Sequence, residues 1–514
     1  MKKLLAILVF ASMTVIGFGQ GSIKGIVLDQ ETGDGLIGAT VVLKGTSLGT
    51  TTDFDGSFEI APVSDGTYTV VISFTGYETI EKEATVSGRP VDLGSVSMGF
   101  ASVGLEEINV VASVAIDRRT PVAVSTLKGA EIEAKVGNQE YPEILKTTPS
   151  VYVTKTGGGF GDSRINVRGF DQRNTAVMIN GIPVNDMENG WVYWSNWAGL
   201  SDVTSTMQVQ RGLGASKLAV ASVGGSVNIV TNAAEFRKGV KLSLSTGNDG
   251  YQKYGVMLSS GLGEKGFAAT AQFTHTRGDG YVDRTSFRAY SYFLSLSKTF
   301  NPQHTLSLTA LGAPQWHHQR TVSTFDKITL ATYQEKGIRY NHVAGTLNGK
   351  EFTWRKNFFH KPKVFLNHYW TMSEKTNLKT SAYVSFGRGG GTGPRGRLRT
   401  PGSVFDSYSG DGVGIHDENG EVRFDDIVAY NQGQIIDGWG DAKEKYNGQY
   451  VVSSNGKIDG TNAGSGFIRR ASMNYHNWYG VLSTLTSELT DNLTLVAGLD
   501  GRYYKGEHFR RLEN

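Results

Sequence analysis

Cysteine is absent from all 514 residues. That excludes a disulfide framework, zinc–thiolate sites, thiol catalysis and a lipid-modified N-terminal cysteine. Charge of one sign is also missing: 51 Lys and Arg face 48 Asp and Glu, leaving +3. No excess therefore points to nucleic acid or to an acidic partner. Long apolar runs are confined to the N-terminus, and the mean hydropathy is −0.25. A helical membrane protein is excluded, because each span needs about 20 apolar residues. A β-barrel is not, since its lipid-facing side chains alternate with polar ones and vanish from such averages. What is abundant fits that exception: 66 glycines and 11 % aromatics.

Lys2 and Lys3 precede an apolar stretch from Leu4 to Phe18, followed by Gly19 and Gln20. The order basic, apolar, small-residue predicts a secretory signal peptide over residues 1–19 and an exported chain. Residues 20–98 then read as about seven short strands broken by Gly, Asp and Pro turns, the pattern of a small β-sandwich. Gly25-Ile26-Val27, Gly38-Ala39-Thr40-Val41, Thr52-Asp53-Phe54-Asp55-Gly56-Ser57-Phe58 and Gly66-Thr67-Tyr68 resemble the carboxypeptidase regulatory-like domain. No His-x-x-Glu or His-Glu-x-x-His occurs among the ten histidines, so no peptidase zinc site accompanies the resemblance.

Residues 99–116 form a linker, and residues 117–235 are mixed in character. Short helices are expected at Ala130–Val136 and Tyr141–Lys146, the second entered through a proline. Strands are expected at Ser150–Thr154, Ile165–Arg168, Ala176–Ile179, Met207–Gln210 and Ser226–Thr231. Three motifs stand out. They are Ile165-Asn166-Val167-Arg168-Gly169-Phe170, Met178-Ile179-Asn180-Gly181-Ile182-Pro183-Val184, and Val209-Gln210-Arg211-Gly212 leading to Gly224-Gly225-Ser226-Val227-Asn228. In order and spacing they resemble the plug domain of TonB-dependent outer-membrane receptors. The resemblance gives Leu105, Glu106, Glu107, Ile108, Asn109, Val110, Val111 and Ala112 the role of a candidate TonB box, an extended segment that adds as a strand to a partner sheet. An ordinary linker strand is the alternative. The resemblance also implies that Arg164, Arg168 and Arg211 form ion pairs between plug and barrel.

Beyond residue 236 come nine long strands: Lys241–Thr246, Gln252–Leu258, Phe267–Thr276, Phe287–Phe300, Thr305–Leu311, Lys363–Met372, Asn377–Phe386, Asn474–Glu488 and Leu493–Tyr504. In Ala268–Thr276 and Leu294–Lys298 small or polar residues alternate with apolar ones, the period-2 pattern of a strand with one lipid-facing side. Aromatics near their ends (Tyr290, Tyr292, Phe293, Tyr369, Trp370, Trp478, Tyr479, Tyr503, Tyr504) are expected to form interfacial girdles. Long connections at about 313–362 and 387–473 are expected as external loops. Nine strands are too few to hold such a plug, because plugged transporters have about 22. The expected architecture is therefore mainly β: an N-terminal Ig-like β-sandwich, an α+β plug domain and, over 236–514, the N-terminal part of a large transmembrane β-barrel truncated within the barrel.

Other strings carry less. Gly45-Thr46-Ser47-Leu48-Gly49 fits a nucleophile elbow but lacks the following helix. Gly261–Gly266 and Gly391–Gly396 satisfy G-x-G-x-x-G outside any βαβ unit. Asp53, Asp55 and Gly56 suggest a turn rather than a calcium loop, and His317-His318 a solvated loop rather than a metal-ligand contact. By the resemblance, plug loops face outward through the barrel. Phe160, Asp162, Gln172, Arg173, Asn185, Asp186, Trp191, Tyr193, Trp194 and Trp197 are then the candidate ligand contacts, as flat aromatic faces backed by polar groups suit sugar or chelator rings. Packing of those aromatics on the barrel wall is the competing reading.

The function these expectations imply is active uptake, across an outer membrane, of a large or scarce nutrient: siderophore iron, an oligosaccharide, a peptide or similar. The implied partners are an inner-membrane TonB complex, outer-membrane lipid, the extracellular ligand and a surface lipoprotein, with no nucleic acid, cofactor or enzyme activity. A ligand-binding or adhesion protein without transport is the alternative.

Overall fold

In the computed structural model the described residues are 21–30, 33–74, 77–99, 123–155, 159–161, 163–212, 222–231, 233, 236, 238–263, 265–320, 330–400, 403–405, 415–490 and 492–514. The expected signal peptide and the candidate TonB box at 105–112 lie outside them. The chain divides into two units, residues 1–109 and 110–514.

In the first unit, alternation of apolar and polar side chains builds seven strands. They are β1 (Gly21–Asp29), β2 (Thr40–Leu43), β3 (Gly49–Thr51), β4 (Ser57–Val63), β5 (Gly66–Ser73), β6 (Ile80–Val86) and β7 (Val91–Met98). They form two sheets, β4-β1-β7 and β3-β2-β5-β6. Ile23, Val27, Val41, Leu43, Phe58, Ile60, Val70, Ile72, Val96 and Met98 share one buried core, the expected sandwich. The Gly45–Gly49 string is the β2–β3 hairpin, where the Thr46 hydroxyl donates to the Leu43 carbonyl at 2.9 Å. The Asp53–Gly56 stretch is a turn closed by the Gly56 N–H on the Asp53 carbonyl at 3.0 Å, with Asp55 accepting from the Ser57 N–H at 2.9 Å.

The second unit begins with the plug. Its strands are β8 (Ala123–Lys128), β9 (Val151–Lys155), β10 (Ser163–Val167), β11 (Phe170–Asp171), β12 (Thr175–Ile179), β13 (Ile182–Pro183), β14 (Thr206–Arg211) and β15 (Gly225–Val230). A helix at Gly129–Val136 and a 3-10 turn at Tyr141–Thr147 follow β8. The turn is opened by a Glu140–Glu143 capping box with a proline in its first positions. The main sheet runs β13-β12-β15-β14-β8, and a smaller one β11-β10-β9. Arg168-Gly169 and Asn180-Gly181 both hold two successive positive φ angles, 52° and 82°, then 52° and 81°. That is the type I′ geometry matching strand twist, so these motifs are hairpin turns.

Fifteen further strands make the wall and its loops: β16 (Gly239–Thr246), β17 (Gln252–Ser259), β18 (Phe267–Gly278), β19 (Phe287–Asn301), β20 (His304–Gly312), β21 (Gln315–His318), β22 (Ala344–Leu347), β23 (Lys350–Thr353), β24 (Lys356–His360), β25 (Lys363–Ser373), β26 (Thr376–Thr400), β27 (Ser403–Phe405), β28 (Val422–Arg423), β29 (Gly466–Thr490) and β30 (Leu493–Leu512). Pro314 parts β20 from β21 and Pro362 parts β24 from β25, since proline cannot donate to a ladder. Counted across those breaks, the wall has the nine strands expected. One register row, Val240–Leu258–Ala271–Leu294–Ala310–Val364–Val384–Tyr479–Tyr503, crosses all nine and is apolar or aromatic throughout. Its exposed members form the lipid-facing side of a transmembrane sheet. The adjacent row, Lys241–Met257–Gln272–Phe293–Leu311–Lys363–Ser385–Trp478–Tyr504, points the other way, to the plug.

Two expectations change. The girdle splits, because neighbouring residues on a strand face opposite sides. Tyr290, Tyr292, Trp370, Tyr479 and Tyr503 face outward, but Phe293 and Trp478 are buried against the plug, 3 % and 1 % exposed, and Tyr369 and Tyr504 lie on that inner side. The long connections are also built rather than looped. β26 and β29 run 25 residues each, paired to Arg397↔Gly466, because glycine fits where Phe359 packs against Gly389. Above them Trp354, Leu398, Phe424, Ile427, Tyr430, Trp439 and Phe467 form a separate core around a helix at Phe424–Asn431.

Expected outcome: in the sandwich, Ile72→Ala costs about 2–5 kcal/mol, whereas outward Ile26→Ala costs about 0.5 kcal/mol or less. Urea unfolding of residues 20–99 measures both.

Candidate functional site

The segment after β13 folds back on itself through side chains that bond main chain. Asn185 accepts from the Val177 N–H at 2.8 Å and donates to the carbonyls of Gln172, Thr175 and Gly190 at 3.2, 3.0 and 3.0 Å. Asp186 accepts from the N–H groups of Glu188 and Asn189. Gln172 donates to the Val192 carbonyl at 3.0 Å and accepts from the Trp194 indole at 3.1 Å. Asn185 and Gln172 are thus buried pins of the loop rather than free ligand contacts. A buried amide with every bond made is rigid.

Of the four aromatics expected at the surface, two are not there. Trp194 and Trp197 are 4 % and 3 % exposed, inside the core shared by plug and wall. Tyr193 is 47 % exposed. Trp191 is half-buried, with Arg164 4.3 Å and Arg173 4.9 Å from its ring centroid. Arg173 also grips Asp171 at 2.6 Å. Phe160 stacks on Phe287 of the wall, centroids 4.5 Å apart and planes 1° apart, so it too packs. Asp162 lies outside the described residues. What remains is a platform of exposed Arg173 and Tyr193 with half-buried Arg164 and Trp191, fixed from below.

The arginine expectation is corrected in the same way. Arg211 donates to the Pro149 and Val124 carbonyls within the plug. Arg164 lies on Trp191, and Arg168 is exposed. At two of the motif glycines there is no room for a side chain: one at Gly224 would meet Phe170 at 2.9 Å, and one at Gly225 would strike the Gln210 carbonyl. Asn180 donates to Thr231 at 2.9 Å and accepts from its N–H at 2.8 Å.

The wall is instead joined to the plug by groups absent from the expectations. Lys241 pairs with Glu133 at 2.5 Å, Lys253 with Asp202 at 2.6 Å, and Gln272 donates to Asp202 at 3.1 Å. Phe293 and Leu311 enter the plug core. Lys363 donates to the Pro183 carbonyl at 2.6 Å and Lys379 to that of Asn180 at 3.2 Å. Asp186 lies 3.8 Å from Lys361 and 3.4 Å from His476, and Glu188 is 2.9 Å from His508. Every wall strand from β16 to β30 thereby meets the plug. The usable signal was a lysine or histidine at inward positions of an alternating strand, where a charge needs a partner.

His317 and His318 sit on β21, not in a solvated loop: His317 contacts Gln315 at 2.7 Å and His318 contacts Glu351 at 2.8 Å. Among the described residues no group of three or more side chains is placed to hold a metal. In the plug, burial alone would raise Glu143. Its pairs with Lys146 and with Lys155, the latter at 2.9 Å, outweigh that and hold it below the usual glutamate range.

Expected outcome: a depressed carboxylate stabilises above its ordinary value and stops doing so as pH falls through its folded value. Plug amide protection therefore drops as pH falls below the ordinary glutamate range, and Glu143→Gln flattens that drop while costing about 1–3 kcal/mol at neutral pH. Hydrogen exchange across that range reads both.

Residues 23–110 match the family described as CarboxypepD_reg-like domain, and residues 117–226 the TonB-dependent Receptor Plug Domain. TonB-dependent receptor P39 of Formosa agariphila is 30 % identical over 189 residues, 35 % of this chain and 18 % of that protein. The vitamin B12 transporter of Vibrio cholerae is 28 % identical over 318 residues, 53 % of this chain and 51 % of that one. The chain thus spans at most about half the length of these relatives. The unliganded ferric citrate transporter FecA aligns with a TM-score of 0.47 at 14 % identity, over 76 % of this chain and 49 % of its own. These relatives are receptors and transporters, not enzymes. With a regulatory-like sandwich, a plug and a wall of strands paired against it, the chain is similar to TonB-dependent receptors in these two domains.

Proposed function

We propose that the protein imports a large or scarce nutrient across the outer membrane, driven by an inner-membrane TonB complex that captures residues 105–112 by strand addition. The observation that carries this is the pairing of a fixed, partly exposed platform (Arg164, Arg173, Trp191, Tyr193) with a plug fastened to all nine wall strands. A fastened plug blocks passive flow, so passage requires work delivered from outside the chain. The platform offers two guanidinium groups and two aromatic faces, suited to an anionic or ring-bearing ligand. Relatives named as vitamin B12 transporters and as a ferric enterobactin receptor carry cargo names in keeping with that size class. Asn185, Gln172, Trp194 and Trp197 act as the scaffold of the platform rather than as contacts.

Expected outcome: deletion of 105–112 in the protein in its native membrane leaves ligand binding intact and abolishes uptake. If uptake persists, the transport reading fails and a binding or adhesion role replaces it. Trp191→Ala and Tyr193→Ala each weaken binding about tenfold, some 1.4 kcal/mol, without altering plug stability. Trp197→Ala instead costs about 3–5 kcal/mol of stability, measured by plug proteolysis.

A further inference from the structure

The outward face of β25, β26, β29 and β30 is not a smooth apolar band. Two register rows lie side by side on it: Val364–Val384–Tyr479–Tyr503, and next to it Leu366–Ala382–Val481–Gly501. Ala382 and Gly501 are too small to fill their places, and a groove of about 550 Å³ opens between the larger neighbours. A Cβ added at Gly501 meets nothing within 4 Å, so the floor is bare backbone. Tyr479 and Tyr503 wall one end, their ring centroids 6.1 Å apart.

On the long-loop side of these tyrosines the outward face becomes cationic. Lys505 follows Tyr503 by two residues, and Arg388 follows Val384 by four, about 7 and 13 Å along the strands. Arg388 is held by neutral acceptors: it donates to the carbonyls of Gly387 and His476 at 2.7 and 2.9 Å and to the Asn477 amide oxygen at 2.7 Å. Its guanidinium also lies 5.0 Å from the Tyr475 ring centroid. Lys505 is matched by Glu507 at 2.6 Å. Of the two cations, Arg388 is the one that no acid side chain grips within ion-pair distance among the described residues.

We propose that this groove and Arg388 form a binding site for one outer-leaflet lipid with an anionic phosphate headgroup. An acyl chain lies over Gly501 and Ala382 between Tyr479 and Val481, and the phosphate reaches Arg388. An arginine fork suits phosphate, and a dry apolar slot in a bilayer is filled by hydrocarbon rather than water. The site depends on the membrane-wall fold alone, so failure of the import reading leaves it standing.

The test uses the protein purified from its native outer membrane into a neutral detergent and exchanged exhaustively. Bound phosphorus and bound fatty acid are then counted per chain. Wild type is expected to keep about one phosphate-bearing lipid, and Gly501→Trp, Gly501→Leu and Arg388→Gln to lose about tenfold of it, the scale of one charge-assisted contact. Leu242→Trp, outward on β16, a strand that does not line the groove, is expected to keep it. Migration of unheated samples on gels checks that each barrel is folded, and Gly501→Leu serves if the tryptophan variant is not. Equal retention in all variants, or equal loss in Leu242→Trp, overturns the site. Retention by Arg388→Gln alongside loss by Gly501→Leu overturns the anionic lipid and leaves an apolar slot.

Discussion

The structure depends on a single constraint: a wall strand has two faces, and here both are spoken for. Outward side chains meet a solvent that cannot hydrogen-bond, so they are apolar. Inward side chains meet a folded plug, so they carry whatever that plug leaves unsatisfied. Lys363 and Lys379 illustrate the second half. Each delivers an ammonium to a backbone carbonyl of the β12–β13 hairpin, one to Pro183 and one to Asn180. A buried ammonium without such acceptors would be costly, so wall and hairpin fix each other.

The same constraint organises the charge. The wall pairings of the plug are made by acids (Glu133, Asp186, Glu188, Asp202), and the wall answers with Lys241, Lys253, Lys361, His476 and His508. Near-neutral composition therefore conceals an interface with a sign on each side. The buried members of this set, Asp186 with Lys361 and His476, contribute little net stability but strongly penalise a missing partner. They specify register between plug and wall more than they hold it by strength. Asp186 combines both roles, fastening its own loop through main-chain N–H groups while facing Lys361 and His476.

The upper platform is rigid because its supports are buried. Gln172 ties Trp194 to the Val192 carbonyl, Asn185 collects three carbonyls, and Trp197 sits in the common core. Trp191 and Tyr193 are consequently offered to a ligand at little entropic cost, the general advantage of a preorganised surface. Outside the plug, the long connections build a lobe with its own core around Trp354 and Trp439 instead of unstructured loops.

The sequence by itself determined the local elements. Alternation set the nine wall strands, Asn180-Gly181 and Arg168-Gly169 set hairpins, and Pro142 with Glu140 and Glu143 set the start of the 3-10 turn. Each rests on interactions within a few residues, which periodicity and turn chemistry report directly. Tertiary structure alone decided which side of each strand met the plug, and hence that Trp478 is interior while Tyr479 is not. It decided that Trp194 and Trp197 pack while Trp191 and Tyr193 remain available, and that Arg211 serves carbonyls of its own plug instead of wall carboxylates. Those outcomes depend on partners distant in the chain (Arg211 reaches Pro149 and Val124, residues of other plug elements) or on the depth of a side chain in a shared core. Composition and spacing carry no information about either.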